Sequence, residues 1–290
     1  MKAFEQFTSS SVYLLSSMAT TIINKYILSD LQFEMQYLLV MLQSLAIVCS
    51  LLFLRRIGAV DFELTRFRKW LLPSLLLTVM IFSGSKSLYY LPISIYTLFK
   101  NSSIVITALL EKRLFNRRIS SLAYASFMLM IGSSYIGDYS EAILATGYAW
   151  MLINILSTTA YVLSLKVAID TDSKAKTESV YYSSLVSLPI LAPLSFVFDG
   201  KSSKGISIGV LAWVFVSSVC AFFTSFSTAW TLNVLSSTTL GMLGALNKSI
   251  GSFLGIIVLN ESINTWKVFS LMLGSVSVAM YSYGLSFGHK

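Results

Sequence analysis

The sequence predicts an all-α membrane protein: ten transmembrane helices arranged as two inverted five-helix repeats, with both termini in the cytoplasm. Composition, the spacing of the apolar runs and the distribution of charge carry that prediction. Of 290 residues, 55% are hydrophobic and only 12% charged, and the mean hydropathy is +0.74. A soluble domain is roughly 45–50% apolar and about 25% charged, so this chain cannot cover a water-facing surface. A spanning helix takes about 20 apolar residues, which allows roughly ten spans and leaves no room for a folded extramembrane domain. Soluble enzymes and nucleic-acid binders are thereby excluded.

Apolar runs punctuated by charges or turn residues place the spans near 8–28, 35–54, 70–91, 93–110, 119–137, 143–165, 178–198, 207–232, 236–259 and 264–285. The tightest cut is Leu91-Pro92, where proline turns the preceding residue away from helix and forces a short hairpin. The first run is long and no small-residue cleavage site follows it, so it reads as a span and not as a signal peptide. One transmembrane domain covers residues 1–290, with a first repeat at about 8–137 and a second at about 143–285.

The connecting segments alternate in charge. One side collects Lys2, the Arg55–Lys69 cluster, Lys112 to Arg118, Lys166, Lys174, Lys176 and Lys290. The other has Lys201, Lys204 and Lys267 against Asp30, Glu34, Asp138, Glu141, Asp199 and Glu261. Positive residues stay in the cytoplasm, which sets both termini there. The formal charge of +8 is then a topology signal, and it calls for no nucleic acid.

Lys25, Lys86, Lys100 and Lys248 remain inside spans, and no Asp or Glu lies at comparable depth; Glu111, Glu178 and Glu261 fall at helix ends. A charge at the bilayer centre costs at least ~2.5–3.5 kcal/mol. Lysines at that depth point to a cavity for an anion. Lys25 and Lys86 also lie close enough to span ends to snorkel to the headgroups; Lys100 and Lys248 are deeper.

Phe99-Lys100-Asn101 through Glu111 to Gly132 parallels Asn247-Lys248-Ser249 through Glu261 to Gly274. The spacing is about half the chain. An odd number of helices per half inverts the second half, as in secondary transporters with a midplane site. Polar and small residues recur at helical spacing: Tyr13, Ser17, Thr20 and Asn24; Tyr96, Lys100, Ser103 and Thr107; Ser217, Ala221, Thr224 and Thr228; Gly244, Lys248, Gly251 or Ser252, and Gly255. Each stripe alone fits helix packing. Together, with two deep lysines, they fit a polar cavity.

Cys49 and Cys220 lie in apolar stretches and read as core residues, and His289 is the only histidine. The sequence therefore calls for no metal and no cofactor.

Gly244-Ala245-Leu246-Asn247-Lys248, preceded by Ser236-Ser237-Thr238-Thr239, resembles the ninth helix of nucleotide-sugar transporters. It matches the GALNK motif of the GDP-mannose branch of the drug/metabolite transporter superfamily. Asn24-Lys25, Ser85 to Leu88 and Ile95 to Asn101 are similar to that branch as well. The resemblance runs from about Ser11 to Gly284.

It implies a ten-helix carrier, not an enzyme, in the Golgi membrane that exchanges cytosolic GDP-mannose for lumenal GMP. It further implies that Gly244, Ala245, Asn247 and Lys248 face the sugar and phosphates, with Tyr13 near the sugar. Ser225 and Thr228 would lie beside the nucleotide. Asn24 and Lys100 join the candidate substrate-binding set from the first half, Lys100 through the repeat. Membrane lipid and a second copy of the chain, in a homodimer, are the further partners this class allows.

Two departures touch the nucleobase. The FYNN motif reads Tyr181-Tyr182-Ser183-Ser184, and a hydroxyl replaces only part of an amide's donor and acceptor set. Leu240 stands where the fungal pattern has tyrosine. An exchanger for a UDP-sugar, or a phosphosugar carrier, is the alternative within the class. An intramembrane enzyme would need acidic or histidine groups that the sequence hardly offers, and a repeat of this kind argues against a channel or receptor.

Overall fold

In the computed structural model the described residues are 2–33, 35–91, 93–116, 119–135, 145–169, 174–199, 208–259 and 265–287. Among them the regular structure is all helical, without a strand. The helices are α1 (Lys2–Lys25), α2 (Gln36–Arg56), α3 (Phe67–Tyr90), α4 (Ile93–Phe115), α5 (Ser121–Tyr135), α6 (Ala145–Ile169), α7 (Ala175–Phe198), α8 (Ile208–Val234), α9 (Ser237–Leu259) and α10 (Thr265–Phe287). In the described residues, α2, α3, α6, α7 and α8 are each long and apolar enough to cross a membrane. The break expected at Leu91-Pro92 lies between the end of α3 and the start of α4.

Helix ends follow local chemistry. After α2 the Gly58 backbone is left-handed, with φ +74°. Its N–H donates to the Arg55 carbonyl at 3.1 Å and that of Ala59 to the Leu54 carbonyl at 3.0 Å. That is a Schellman ending, which favours glycine at this position. Asn116, just beyond α4, adopts φ +52°, as asparagine tolerates better than most residues. Helix α1 continues into a wider π segment, Tyr26–Asp30, where the Leu31 N–H reaches back five residues to the Tyr26 carbonyl at 3.1 Å. In the loop beyond α2, the Lys174 ammonium bonds Asp61 and holds its carboxyl below the usual carboxylate range.

The described part forms two compact units, each using helices from both halves of the sequence. One comprises Met1–Thr78 and Ser164–Leu235, the other Val79–Leu163 and Ser236–Lys290. In the first, α1 packs on α8, while α2 packs on α7 and α8. In the second, α5 packs on α10 and α4 packs on α5 and α9. The core of the second unit is Ile104 and Ala108 of α4, Phe127 and Met130 of α5, Met242 of α9 and Tyr281 of α10.

Polarity is distributed as lipid demands. Large apolar side chains lie outward, such as Phe196 at 91% and Ile208 at 87% exposure. The interior is rich in serine and threonine, including Ser44, Ser74, Thr78, Ser87 and Ser218. Their hydroxyls donate to the carbonyl four residues back, at 2.7–3.0 Å. A buried hydroxyl needs a partner, and a helix always supplies that carbonyl. Small side chains also let helix backbones approach closely.

Candidate functional site

In the second unit the first sequence-predicted lysine is held by helix α6. The Lys100 Nζ donates to Asn154 Oδ1 at 2.9 Å and to Thr158 Oγ1 at 2.9 Å. Asn154 and Thr158 are one helical turn apart, so both oxygens reach one ammonium. Thr107, two turns along α4 from Lys100, donates to Thr159 of α6 at 3.2 Å. Sequence reasoning missed Asn154 and Thr158. Their i, i+4 spacing in an otherwise apolar span is the signal that could have found them.

Helix α9 runs close to α4, because a Cβ at Gly241 would stand 3.2 Å from Ile104 Cγ1. Gly244 and Ala245 are half-buried, and Asn247 is buried. Ala245 packs against the core of the unit. The backbone of Lys248 continues α9, whereas its side chain lies outside the described part of the structure, as do the side chains of Gly251 to Leu259 and the whole of Glu261. Of the shallower lysines, Lys25 is exposed and Lys86 places its Nζ 5.8 Å from the Phe82 ring.

The first unit holds Tyr13, Asn24, Tyr182, Ser183, Ser184, Ser225 and Thr228. Here the polar stripes of α1 and α8 face each other. Thr20 Oγ1 and Thr224 Oγ1 are 2.9 Å apart, and Ser16 Oγ and Ser227 Oγ 3.2 Å. Asn24 Oδ1 accepts from Gln43 Nε2 at 2.8 Å and from the Ser217 hydroxyl. Much of the face read as cavity lining is thus a helix contact, because hydroxyls in an apolar medium pair with the nearest partner. Tyr13 is half-buried, and Thr228 Oγ1 donates to the Thr224 carbonyl at 2.7 Å. Ser225 is half-buried.

Gln43→Leu would leave the Asn24 oxygen with one fewer donor and remove the 2.6 Å bond to Ser217 Oγ. We expect a loss of about 1–2 kcal/mol, read as a lower melting temperature of the purified protein.

The altered motif on α7 sits beside the α2–α3 connection. The Tyr182 hydroxyl donates to the Glu63 carbonyl at 3.0 Å, and its ring meets Phe67 edge-on with centroids 6.1 Å apart. Ser183 Oγ donates to the Val180 carbonyl at 3.1 Å. Ser184 is buried, and Ser187, one turn on, donates to Ser44 of α2 at 3.2 Å.

Several charged residues assigned to loops or helix ends clamp helix termini. The Glu111 carboxylate accepts from the Ser237 N–H at 2.8 Å and the Thr238 N–H at 3.0 Å, and from Thr238 Oγ1 at 2.7 Å. Ser236 Oγ takes the Thr239 N–H at 3.0 Å. The Ser-Ser-Thr-Thr segment is therefore a helix N-terminus, its free donors met by one hydroxyl and one anion at the positive end of the dipole. Asp199 likewise receives the Tyr37 and Leu38 N–H groups at 3.1 and 2.7 Å, at the start of α2. Lys166, counted above among the loop lysines, is only 4% exposed. Its Nζ donates to the Leu232 and Leu235 carbonyls at the negative end of α8.

Comparison with known proteins gives this geometry a family. Residues 145–283 match the EamA-like transporter family. The chain is 32% identical to the GDP-mannose transporter of Scheffersomyces stipitis, over 93% of this chain and 89% of that one. It is also 32% identical to the GDP-mannose transporter of Komagataella pastoris (93% and 88%) and 31% identical to GDP-mannose transporter 1 of Cryptococcus neoformans (93% and 78%). A solved crystal structure superimposes with a TM-score of 0.75 over 94% of this chain and 97% of its own, at 13% identity, and shares the fold. This is a multi-pass membrane transporter and not an enzyme, and the chain belongs to the nucleotide-sugar transporters of the drug/metabolite transporter superfamily, in the GDP-mannose transporter branch.

Proposed function

We propose that the protein is a nucleotide-sugar antiporter, moving GDP-mannose into the Golgi lumen in exchange for GMP by alternating access. The carrying observation is Lys100, a cation on a spanning helix held by the neutral oxygens of Asn154 and Thr158, on the helix that packs with the GALNK-bearing α9. A nucleotide sugar is a dianionic diphosphate, and ammonium groups in a low-dielectric cavity stabilise it strongly. Proton relays in membranes use Asp, Glu or His, whereas exchange down a nucleotide gradient needs none at that depth.

The proposed binding set keeps Lys100, Asn247 and Lys248 for the phosphates and sugar, together with Gly244 and Ala245. Tyr13, Ser225, Thr228 and the helix-7 pair Ser183 and Ser184 are proposed to contact nucleoside and sugar. Asn24 and Tyr182 support the shape of the first unit through Gln43, Ser217 and Glu63. The proposed topology has ten spans in two inverted repeats with both termini cytoplasmic. It is supported by pairings between like-numbered helices of the two halves, α2 with α7, α4 with α9 and α5 with α10.

Counterflow in proteoliposomes tests the reading. Liposomes loaded with GMP should accumulate GDP-mannose unchanged, and empty liposomes should not. Equal uptake without internal nucleotide would overturn antiport. The serines of helix 7 favour a second reading, exchange of another nucleotide sugar. The double change Ser183→Asn with Ser184→Asn restores two amides, each with a donor and an acceptor for the guanine edge. We expect the GMP-to-UMP inhibition ratio to shift towards GMP by roughly tenfold, the worth of about 1–3 kcal/mol. An unchanged ratio in a folded variant places base recognition elsewhere, with Ser225 and Thr228 next in line.

A further inference from the structure

We propose that Asn154 and Thr158 are positioning residues that preset the Lys100 ammonium for a phosphate-bearing substrate; this rests on the assignment of Lys100 to the binding set. Asn154 is fully buried, and its orientation follows from its partners. Its Nδ2 lies 2.7 Å from the Met80 carbonyl and 3.3 Å from Ser83 Oγ. A carbonyl can only accept, so the amide nitrogen must face α3 and the amide oxygen must face Lys100. Ser83 in turn donates to the Val79 carbonyl at 2.7 Å, which leaves its lone pairs for the amide.

The seat for this amide is tight. A Cβ at Gly84 would stand 3.0 Å from Asn154 Nδ2 and 3.5 Å from the Tyr96 hydroxyl. Thr158 completes the cradle from the next turn of α6, with its Oγ1 at 2.9 Å from Nζ. A free lysine carries about 2 kcal/mol of rotamer entropy. Fixing it before the ligand arrives moves that cost from binding to folding, which is how preorganisation raises affinity. Asn154 and Thr158 are neutral acceptors, so they orient the ammonium without bringing an anion of their own, whereas a carboxylate in their place would compete with the substrate.

The test uses the full-length protein in proteoliposomes, measuring the KM for GDP-mannose, the maximal exchange rate and the melting temperature. Lys100→Ala should raise KM by about tenfold or more. Thr158→Val, which touches none of the α3 contacts, should raise KM by about threefold to tenfold at unchanged maximal rate and melting temperature. Thr158→Ser should return it to the starting value. Asn154→Asp should raise KM by at least about tenfold, by pairing Lys100 with an anion. Both effects should vanish in the Lys100→Ala background. If Lys100→Ala raises KM while Thr158→Val leaves it unchanged, or if the Thr158→Val effect persists at full size without Lys100, the positioning role is overturned and the binding role of Lys100 stands. If Lys100→Ala itself keeps the starting KM, that binding role fails and the positioning role falls with it. Should Asn154→Asp not fold, the threonine series decides alone.

Discussion

Lys248→Ala is expected to bring exchange below detection while the protein still expresses and melts within a few degrees of the original. Lys248 lies in the GALNK segment on α9, a glycine-rich helix next to the one carrying Lys100. At an effective dielectric near 20, a charge pair at ~4 Å is worth about 4 kcal/mol, close to a thousandfold in affinity. A charge is costly to hold in a low-dielectric medium, so its replacement by alanine is expected to leave the fold intact. Counterflow and thermal unfolding on one preparation check both halves of the expectation. Lys248→Arg keeps the charge with a different fork of donors and should retain part of the activity. Undiminished exchange by a folded Lys248→Ala protein would remove the lysine from the site.

Glu111→Ala is expected to be the most damaging of these changes for the fold. The glutamate is 3% exposed, and the change strands the Ser237 and Thr238 N–H groups and the Thr238 hydroxyl. Losing a charged acceptor for several buried donors costs roughly 3–5 kcal/mol, a large share of the 5–15 kcal/mol typical of a folded protein. Melting temperature and yield after solubilisation should both fall sharply. Glu111→Gln retains one acceptor oxygen and should lose about half as much. A Glu111→Ala protein that melts like the original would show that water or lipid headgroups take over the start of α9.

Elements with a strong local cause were legible from residues alone. The break expected at Leu91-Pro92 follows from proline's sterics, and α3 ends at Tyr90 and α4 begins at Ile93 on either side of it. The start of α1 was not legible, because Lys2 to Phe7 is polar enough to read as a tail yet folds as the first turns of the helix. Periodicity identified the polar faces of α1 and α8, since it reports which residues share a side. It carries no information on what that side meets. The pairing of Thr20 with Thr224 therefore had to come from the fold, and so did the cradle around Lys100.

Lys166 shows the same gap in charge. A count by sign places it with the cytoplasmic basic residues, while in the structure its ammonium meets the carbonyls of Leu232 and Leu235, more than sixty residues away. The glutamate at position 111 was legible as a helix end. That its carboxylate serves the beginning of another helix was not, because such a contact depends on tertiary placement.

The α1–α8 pairing sets a schedule for biogenesis. Thr20 and Thr224 are 204 residues apart, so at ribosomal rates of about 5–20 residues per second α1 waits roughly 10–40 s for its partner. During that interval its hydroxyls have no neighbour in the nascent chain to complete the row. The Thr20 hydroxyl also reaches the Ser16 carbonyl at 2.9 Å, and Thr21 reaches that of Ser17 at 2.8 Å. These bonds lie within α1 and form as soon as the helix does. They satisfy the hydroxyls of a polar-striped helix before the rest of the polypeptide has been made, and the later arrival of α8 adds the partner that fixes its position.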